Sequence, residues 1–452
     1  MIRPSRCRVV TAPRRALTVC AALLALALAG CGSRSVPAPV VSPQGAQAPE
    51  EPAQAPPQTI APGAALGEPG AHGPQVRVAL LLPLSGPNGG LGHAILDAAQ
   101  MALFDVGDND LVLLPRDTQG TADGAASAAQ AALAESPALI LGPLLAPEVE
   151  AVKPLAKQAN VNVVAFSTAE QLAGDGTYLL SFLARQNVER IVAFAHERGA
   201  TRFAALAPST PYGELVVADL RAATSAVGAS FDHVEMYDPA ANDLRPVVRR
   251  LAQFDARSAA LAHQRAQLEA AGDEASKLAL RRLAGHDTFG DPDFDAVLLP
   301  DGGPKLKAVA SLLPYYDIDP AKVHILGTGL WDEPGLGSEP ALVGGWFAAP
   351  NPAARADFET RFRALYKQKP PRLASLGYDA AALAAVLAQR PNGSGFTAAA
   401  LTDPSGFAGV DGIFRFRADG QAERGLAVLQ VERNGVTVIS PAPETFEVQP
   451  AS

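Results

Sequence analysis

From residue 76 onward, short unbroken apolar runs alternate with segments of helical periodicity. The first four runs lie at 76–82, 111–114, 138–141 and 161–166. A strand that is apolar at every position is buried on both faces, as in a parallel sheet covered by helices. Between the runs, residues such as Leu91, Ile95 and Ala99 recur every three to four positions, which is typical of a helix packed on that sheet. The alternation predicts a doubly wound α/β sheet.

The same alternation restarts further along the chain. Strands are predicted at 202–206, 231–236, 294–299 and 323–326, with helices at 187–197, 213–226, 244–254, 353–367 and 375–389. Near the C-terminus, a hairpin is predicted to pair 413–417 with 426–431, and another strand follows at 436–439. Two α/β units of similar size predict two lobes that face each other across a cleft.

The predicted body runs from residue 76 to 452 and divides into the two lobes at a three-segment hinge. The first lobe is expected to comprise about 76–199 and 350–425, and the second about 200–349 and 426–440. A helical, charged insert is predicted within the second lobe at 256–291.

The N-terminal segment has the pattern of an export signal. Five arginines precede an apolar run at 16–29, which is too short to span a bilayer comfortably. The run ends in Leu28-Ala29-Gly30-Cys31, which is similar to a bacterial lipobox. Residues 1–30 are therefore predicted to be a signal peptide and Cys31 to carry lipid; the alternative is an ordinary signal peptide with a chance cysteine. Gly32, by resemblance to sorted lipoproteins, implies the periplasmic face of the outer membrane.

Residues 31–75 are predicted to be a disordered tether rich in proline, alanine and glutamine. This segment contains no aromatic residue, and its only acids are Glu50, Glu51 and Glu68. It cannot bury enough apolar surface to fold. A flexible tether of this length spans roughly 35–40 Å, which would hold the body away from the lipid.

Composition and charge exclude several classes of function. The chain is 48% apolar and 18% charged, a balance that permits a large core. Its net charge of −9 disfavours a nucleic-acid partner, which would require a basic surface. No cysteine follows Cys31, so a disulfide framework or thiolate metal site is not expected. Because the sequence contains no catalytic or metal-binding motif, neither enzymatic activity nor a cofactor is predicted.

The cleft is the place where a small molecule is expected to bind. In doubly wound sheets, ligands bind at the carboxyl ends of strands, where helix N-termini offer N–H groups to anions. The candidate residues of the first lobe are Ser85, Gly86, Gly142, Pro143, Leu144, Ser167 and Thr168. Those of the second lobe are Tyr212, Thr328, Trp331 and Asp332. Trp331 is alternatively an interface anchor, whereas Trp346 is predicted to pack in the core.

Several segments resemble type I periplasmic binding proteins of the leucine-binding kind. These are Val78–Leu82 with the following Pro-Leu-Ser-Gly-Pro, then Leu141-Gly142-Pro143-Leu144, Ala165-Phe166-Ser167-Thr168 and Pro211-Tyr212-Gly213. The resemblance covers 76–439 and implies the type I fold. Leucine-type receptors grip their ligand with hydroxyls after the third strand and a carboxylate from the second lobe. Here Leu144, Leu145 and Ala146 stand where those hydroxyls belong, and Asp332 is the candidate carboxylate.

Within that family, the sequences at 81–87 and 141–144 and the long insert are similar to those of the penicillin-binding-protein activators. The enterobacterial activators carry an N-terminal helical-repeat domain, where this chain has a tether. The resemblance implies a non-enzymatic lipoprotein that regulates peptidoglycan synthesis by contacting a class A penicillin-binding protein. The alternative hypothesis is a solute-binding lipoprotein of an ABC importer for branched-chain or other small amino acids or amides.

Overall fold

The structure is a computed structural model that describes Gln58–Thr59, 75–106, 111–390 and 395–446. The predicted signal peptide, Cys31 and nearly all of the predicted tether lie outside these residues. Gln58–Thr59 forms strand β1. None of the described helices is both long and apolar enough to cross a membrane.

The first lobe is built on a five-stranded sheet whose neighbouring strands are all parallel. Its strands are β2 (Val76–Leu82), β3 (Leu111–Asp117), β4 (Leu139–Leu141), β5 (Asn162–Ala165) and β6 (Thr177–Leu179), in the order β3-β2-β4-β5-β6. Helices α1 (Gly89–Val106), α2 (Ala122–Leu133) and α3 (Ala146–Gln158) connect them. Leu80 of β2 packs with α1, and Leu81 packs with α2 and α3 on the opposite face. Burial on both faces explains the unbroken apolar run.

The second lobe is built on a seven-stranded sheet in the order β16-β15-β11-β10-β9-β7-β8. Its strands are β7 (Arg202–Pro208), β8 (Ser230–Tyr237), β9 (Ala296–Leu299), β10 (His324–Gly327), β11 (Trp346–Ala349), β15 (Ala427–Glu432) and β16 (Gly435–Ser440). Its helices are α4 (Ala184–Glu197), α5 (Pro211–Ala226), α6 (Arg245–Leu251), α7 (Phe254–Ala271), α8 (Glu274–Leu283) and α9 (Gly303–Ala310). The two lobes confirm the predicted α/β architecture, and α7 and α8 occupy the predicted insert.

Helix α4 belongs to the second lobe, contrary to the predicted boundary at residue 199. Its apolar face, which includes Val188 and Ile191, packs with Ala205 and Trp346 of the second sheet. The first crossing between the lobes therefore lies near 180–184. The chain returns near 349–352 and crosses again near 424–427, so the hinge has three segments.

The remaining elements complete the first lobe. They are helices α10 (Pro352–Tyr366), α11 (Ala374–Ala388) and α12 (Ala398–Leu401), and strands β12 (Phe407–Gly409), β13 (Gly412–Phe416) and β14 (Ala422–Arg424). Short 3₁₀ turns lie at Glu170–Leu172, Pro314–Tyr316, Gly329–Trp331, Leu336–Ser338 and Pro340–Leu342. Helix α11 is buried almost throughout and packs against α1.

Two predictions about this region are wrong. Strand β13 pairs with β12 and β14, whereas β15 pairs with β11 and β16, so 413–417 and 426–431 form no hairpin. The chain changes lobes between these two segments. The predicted tether also contains one paired stretch, because Gln58 and Thr59 lie beside Phe407 and Ala408 in a parallel ladder.

A substitution at Gly327 tests how tightly the second lobe is packed. Its position leaves no room for a side chain, because an added Cβ would lie 2.0 Å from Cδ2 of Trp331. We expect Gly327→Ala to lower the free energy of unfolding by about 1–3 kcal/mol, measured by urea denaturation. Gly90→Ala is the matched control, since no heavy atom lies within 4 Å of its added Cβ. Equal stability of the two variants would contradict the packing described.

Candidate functional site

In the first lobe, the N–H groups around Ser85 are already bonded within the chain. Asp117 Oδ1 accepts from Leu84 N at 2.9 Å, Ser85 N at 3.2 Å and Gln119 N at 2.8 Å. Burial works against ionisation of Asp117, but these hydrogen bonds prevail and lower its pKa. Ser85 and Gly86 are exposed at this loop. A carboxylate of the protein therefore occupies the place predicted for a ligand anion.

At the turn that begins α3, the carboxylate of Glu148 likewise accepts hydrogen bonds that a ligand anion would otherwise accept. Leu145 N donates to Glu148 Oε2 at 2.9 Å, and Thr118 Oγ1 donates to Glu148 Oε1 at 2.5 Å. Glu148 is completely buried. The three predicted ligand contacts before it are also buried, namely Gly142, Pro143 and Leu144. The structure places them in the packing beneath the turn rather than on a pocket wall, which differs from their predicted role.

Ser167 and Thr168 lie in different surroundings, the first buried and the second exposed. Ser167 is buried, and its Oγ accepts the Ala169 N–H at 3.2 Å. Thr168 is exposed and lines a cavity between the lobes. Only the threonine of this predicted pair is thus placed to meet a ligand.

A cavity of about 290 Å³ lies between the lobes near the hinge. Its walls are Thr168, Phe182, Ala184, Asn187, Tyr212, Gly329, Leu330, Asp332, Ala349, Pro350, Arg372 and Leu373. Three predicted site residues meet there: Thr168, Tyr212 and Asp332. Thr328 supports the wall from behind, since its Oγ1 lies 2.9 Å from the Tyr212 hydroxyl. Burial raises the pKa of Tyr212, so its phenol stays protonated at neutral pH.

Trp331 is a core residue. It is 0% exposed, and its Nε1 donates to Leu299 O at 3.1 Å. Trp331 therefore packs in the core and does not line the cavity between the lobes described above. Trp346 packs in the core as predicted, with its ring centroid 4.1 Å from that of His324.

Asp332 is compensated by two cations. It forms an ion pair with Arg355 of α10, and its Oδ2 lies 3.6 Å from Nε of Arg372. Both guanidinium groups come from the first lobe, whereas Asp332 belongs to the second. The carboxylate predicted to hold a ligand's amino group instead joins the lobes.

A buried charge cluster forms the floor beside this cavity. Arg372 lies 3.0 Å and 3.1 Å from the two carboxylate oxygens of Asp411. Its guanidinium stacks on Phe182 at 4.0 Å, and Arg424 covers the same ring at 4.7 Å. Arg424 in turn lies 3.7 Å from Asp379. Two cations and two carboxylates thus balance around one aromatic ring.

Asp379 of this cluster is completely buried. Burial raises its pKa and Asp411 adds to the effect, while Arg424 opposes it. Arg424 stays charged, because guanidinium does not lose its proton in proteins. The Val410 N–H donates to Asp379 at 2.7 Å and offsets part of the cost of burial. Local spacing in the sequence gave no sign of this cluster, since its members lie far apart along the chain.

A second ionisable group that the sequence pattern did not indicate lies on α5. Asp219 lies two turns after Tyr212 on that helix, and its Oδ2 has no hydrogen-bond partner among the described residues. Burial raises the pKa of Asp219 to about 6, Glu170 and Glu189 act in the same direction, and Arg185 opposes them. Glu170 of the first lobe lies 3.5 Å from Arg185 of α4. The Asp219 carboxyl therefore interacts electrostatically with charged side chains of both lobes.

No metal site accompanies these groups in the part of the chain that the structure describes. No set of three or more His, Cys, Asp or Glu side chains there is placed to hold a metal ion. The arrangement can enclose a small molecule, with polar contacts from Tyr212, Thr168 and Asn187 and no unpaired charge on its walls.

A family model described as periplasmic binding protein matches residues 75–436. The chain is similar to the solved structure of a putative branched-chain amino acid ABC transporter from Rhodospirillum rubrum, with 17% identity and a TM-score of 0.64 over 81% of this chain and 100% of that one. It also resembles an ABC transporter substrate-binding protein from Sphaerobacter thermophilus, at 18% identity and a TM-score of 0.59 over 82% and 99% of the two chains.

A third similar structure is a solute-binding protein of an ABC transporter from Rhodopseudomonas palustris BisB5 in complex with 3,4-dihydroxy benzoic acid. It is 17% identical, with a TM-score of 0.54 over 82% of this chain and 97% of that one. No curated protein sequence matches the chain. These likenesses show the type I fold.

The raised pKa of Asp219 predicts a specific dependence of stability on pH. Because folding raises this pKa from 3.8 to about 6, the folded state binds the proton more tightly than the unfolded state. The resulting stabilisation is complete below pH 4 and is lost as the pH rises through 6. We expect Asp219→Asn to gain about 1–3 kcal/mol relative to the wild type between pH 4 and pH 8, measured by urea denaturation across that range. Parallel curves for the two proteins would contradict this.

Proposed function

This chain belongs to the periplasmic binding protein family, and from that premise we propose that it is a solute receptor whose cleft binds a small, mainly apolar molecule. The observation that carries the proposal is the cavity of about 290 Å³ between the lobes. This volume lies at the small end of the range for ligand pockets. The receptor works by binding alone, without catalysis, and delivers its solute to an ABC importer.

The walls of the cavity set the chemistry of the solute. Phe182, Leu330 and Leu373 offer apolar surface, and Tyr212 and Thr168 offer hydroxyls. Asp332 and Arg372 are paired with one another and with protein partners, so neither presents an uncompensated charge. A solute with an apolar body and a hydroxyl group matches these walls. A hydroxylated aromatic without a charged group, such as catechol, is one molecule of this kind. The 3,4-dihydroxy benzoic acid bound by the Rhodopseudomonas palustris protein shares the aromatic ring and the hydroxyls but adds a carboxylate.

A free α-amino acid matches less well. Its carboxylate needs N–H donors, but those near Ser85 and at the start of α3 are bonded to Asp117 and Glu148. Its ammonium needs a free carboxylate, but Asp332 is held by two arginines. Displacing these partners would leave buried or partly buried charges without compensation.

The location proposed for this receptor is the periplasm, with a lipid anchor on Cys31. An importer operates at the inner membrane, so the outer-membrane location implied by Gly32 fits the second candidate function better. Incorporation of labelled palmitate at Cys31, lost in Cys31→Ser, is the direct test of the anchor.

The second candidate is a lipoprotein activator that contacts a class A penicillin-binding protein through the insert. This candidate is supported by the large exposed surface of the two helices of that insert. Of the residues of α7, only Arg257 and Leu261 are buried, and Leu278 on α8 is 50% exposed. Arg257 ties the insert to its base by donating to Thr288 Oγ1 at 2.9 Å and Gly290 O at 2.6 Å. Two helices that bury so little of themselves offer surface to another protein.

Filling the cavity tests the receptor proposal. Ala184 lines the cavity at the start of α4, so Ala184→Phe is expected to reduce solute affinity about tenfold or more while leaving the melting temperature nearly unchanged. The measurement is calorimetry with catechol and other uncharged phenols, and with hydroxybenzoates, benzoate and branched-chain amino acids for comparison. Ala218→Phe is the control, since Ala218 is exposed on α5 and does not line the cavity. Binding of none of these compounds, or binding that Ala184→Phe leaves intact, would count against the proposal.

The insert tests the activator candidate. We expect Leu278→Gln to weaken retention on an immobilised class A penicillin-binding protein, because it removes exposed apolar surface from α8. Leu215→Gln makes the same change at an exposed leucine of α5, outside the insert, and should leave retention unchanged. No retention of the wild type on any class A synthase of the cell would exclude this candidate.

A further inference from the structure

A second cavity lies beside the outer strand of the second sheet. Its volume is about 250 Å³, and its apolar lining comes from both lobes. Pro334, Leu336 and Val436 belong to the second lobe, while Pro352 and Ala356 of α10 belong to the first. The cavity thus lies between a strand edge and a helix, a geometry suited to an extended peptide with a side chain pointing into the gap.

The strand at this edge is unprotected. Strand β16 ends the order of the second sheet, and among the described strands it pairs only with β15. Its residues Gly435–Ser440 include no charge, and Val436 and Val438 are 37% and 38% exposed. Edge strands usually carry charges that discourage further pairing. The opposite edge, β8, carries Asp232 and Glu235.

The backbone of Val436 faces outward. Val431, its partner across the ladder, uses its N–H for Gly345 O at 2.9 Å and its C=O for Gly344 N at 2.9 Å, both on the far side from β16. In an antiparallel ladder, opposed residues either bond to each other or both face away. The N–H and C=O of Val436 are therefore directed toward the open edge, next to the cavity that its side chain lines.

The charges around this cavity are compensated within the chain. Glu359 lies 3.2 Å from Arg355 and 3.6 Å from Lys369. Glu333 Oε1 accepts the Gly303 N–H at 2.9 Å. An incoming segment with a negative charge at this place would find no free counter-ion, because Arg355 and Lys369 already face Glu359, and it would lose its hydration. An uncharged segment meets no such cost.

We propose that β16 and the adjacent cavity form a docking groove for an extended, uncharged segment of another protein, which adds a strand to the second sheet and inserts an aliphatic side chain between Val436 and Ala356. A second copy of this chain is disfavoured as the occupant, because each chain has a net charge of −9 and the two would repel. This inference is independent of the proposed solute.

The groove shares a wall with the cleft cavity. Asp332 lines both cavities, and its ion pair with Arg355 joins the lobes at that point. Because both lobes line the groove, a solute that changes their arrangement changes the groove as well. Occupancy of the cleft and of the groove are then coupled, and each alters the affinity for the other by the same factor.

The test uses the full chain and a labelled, end-blocked peptide of alternating threonine and valine with a central leucine, followed by fluorescence anisotropy. We expect saturable binding that weakens about tenfold or more when aspartate replaces the central leucine. Ala356→Trp fills the cavity and Val436→Pro removes the outward N–H, so each should weaken binding about tenfold or more. Ala354→Trp, at an exposed position of α10 outside the cavity, should leave binding unchanged.

Three results would overturn the proposal. The first is absence of saturable peptide binding, or binding that Ala356→Trp and Val436→Pro leave intact. The second is a dimer in sedimentation that Val436→Pro dissociates, which would assign the edge to a second copy. The third is slow hydrogen exchange of the Val436 amide in the free monomer, which would show that a segment of the same chain already covers it. Solute binding by the wild type, measured in the absence of peptide, shows separately whether the receptor proposal stands.

Discussion

The structure depends on a cluster of four charges around Phe182, of which three are buried and Arg372 is partly exposed. Phe182 lies in the first crossing between the lobes, Arg424 lies at the third, and Arg372 lies between α10 and α11. Each carboxylate of the cluster is completely buried, so removing one guanidinium would leave a charge that the interior cannot stabilise. The cluster therefore ties the crossing segments to one arrangement, because another arrangement would separate these buried charges from their partners. It also fixes Arg372, and through Arg372 the position of Asp332.

That arrangement explains the character of the cleft. In the first lobe, Asp117 and Glu148 occupy the N–H groups that a doubly wound sheet usually offers to a ligand. In the second lobe, Asp332 is turned toward arginines of the first. The polar positions of the fold are thus bonded within the protein, and apolar surface with a few hydroxyls is left to face the cavity. These charged groups thus make contacts within and between the lobes instead of standing free on the cavity wall.

The fold could be predicted from the sequence because a strand buried on both faces is recognisable as an unbroken apolar run. A run such as Val76–Leu82 is apolar throughout since helices cover both faces of β2. The boundary between lobes was harder to predict, because the amphipathic pattern of α4 shows that it packs but not on which sheet. Strand pairing near the C-terminus failed for the same reason, since β13 and β15 have similar patterns and belong to different sheets.

The site was less predictable than the fold. Thr168 and Tyr212, which were chosen because they follow strand ends, both line the cavity, since topology alone brings carboxyl ends together. Topology does not reveal that Glu148 caps its own helix or that Arg372 meets Asp411, since these depend on side-chain direction across distant segments. The tie of the insert at Arg257 has a consequence of a different kind. A helical pair attached mainly at its ends, between the edge strand β8 and the inner strand β9, can change in length or sequence with little effect on the packing around the cleft.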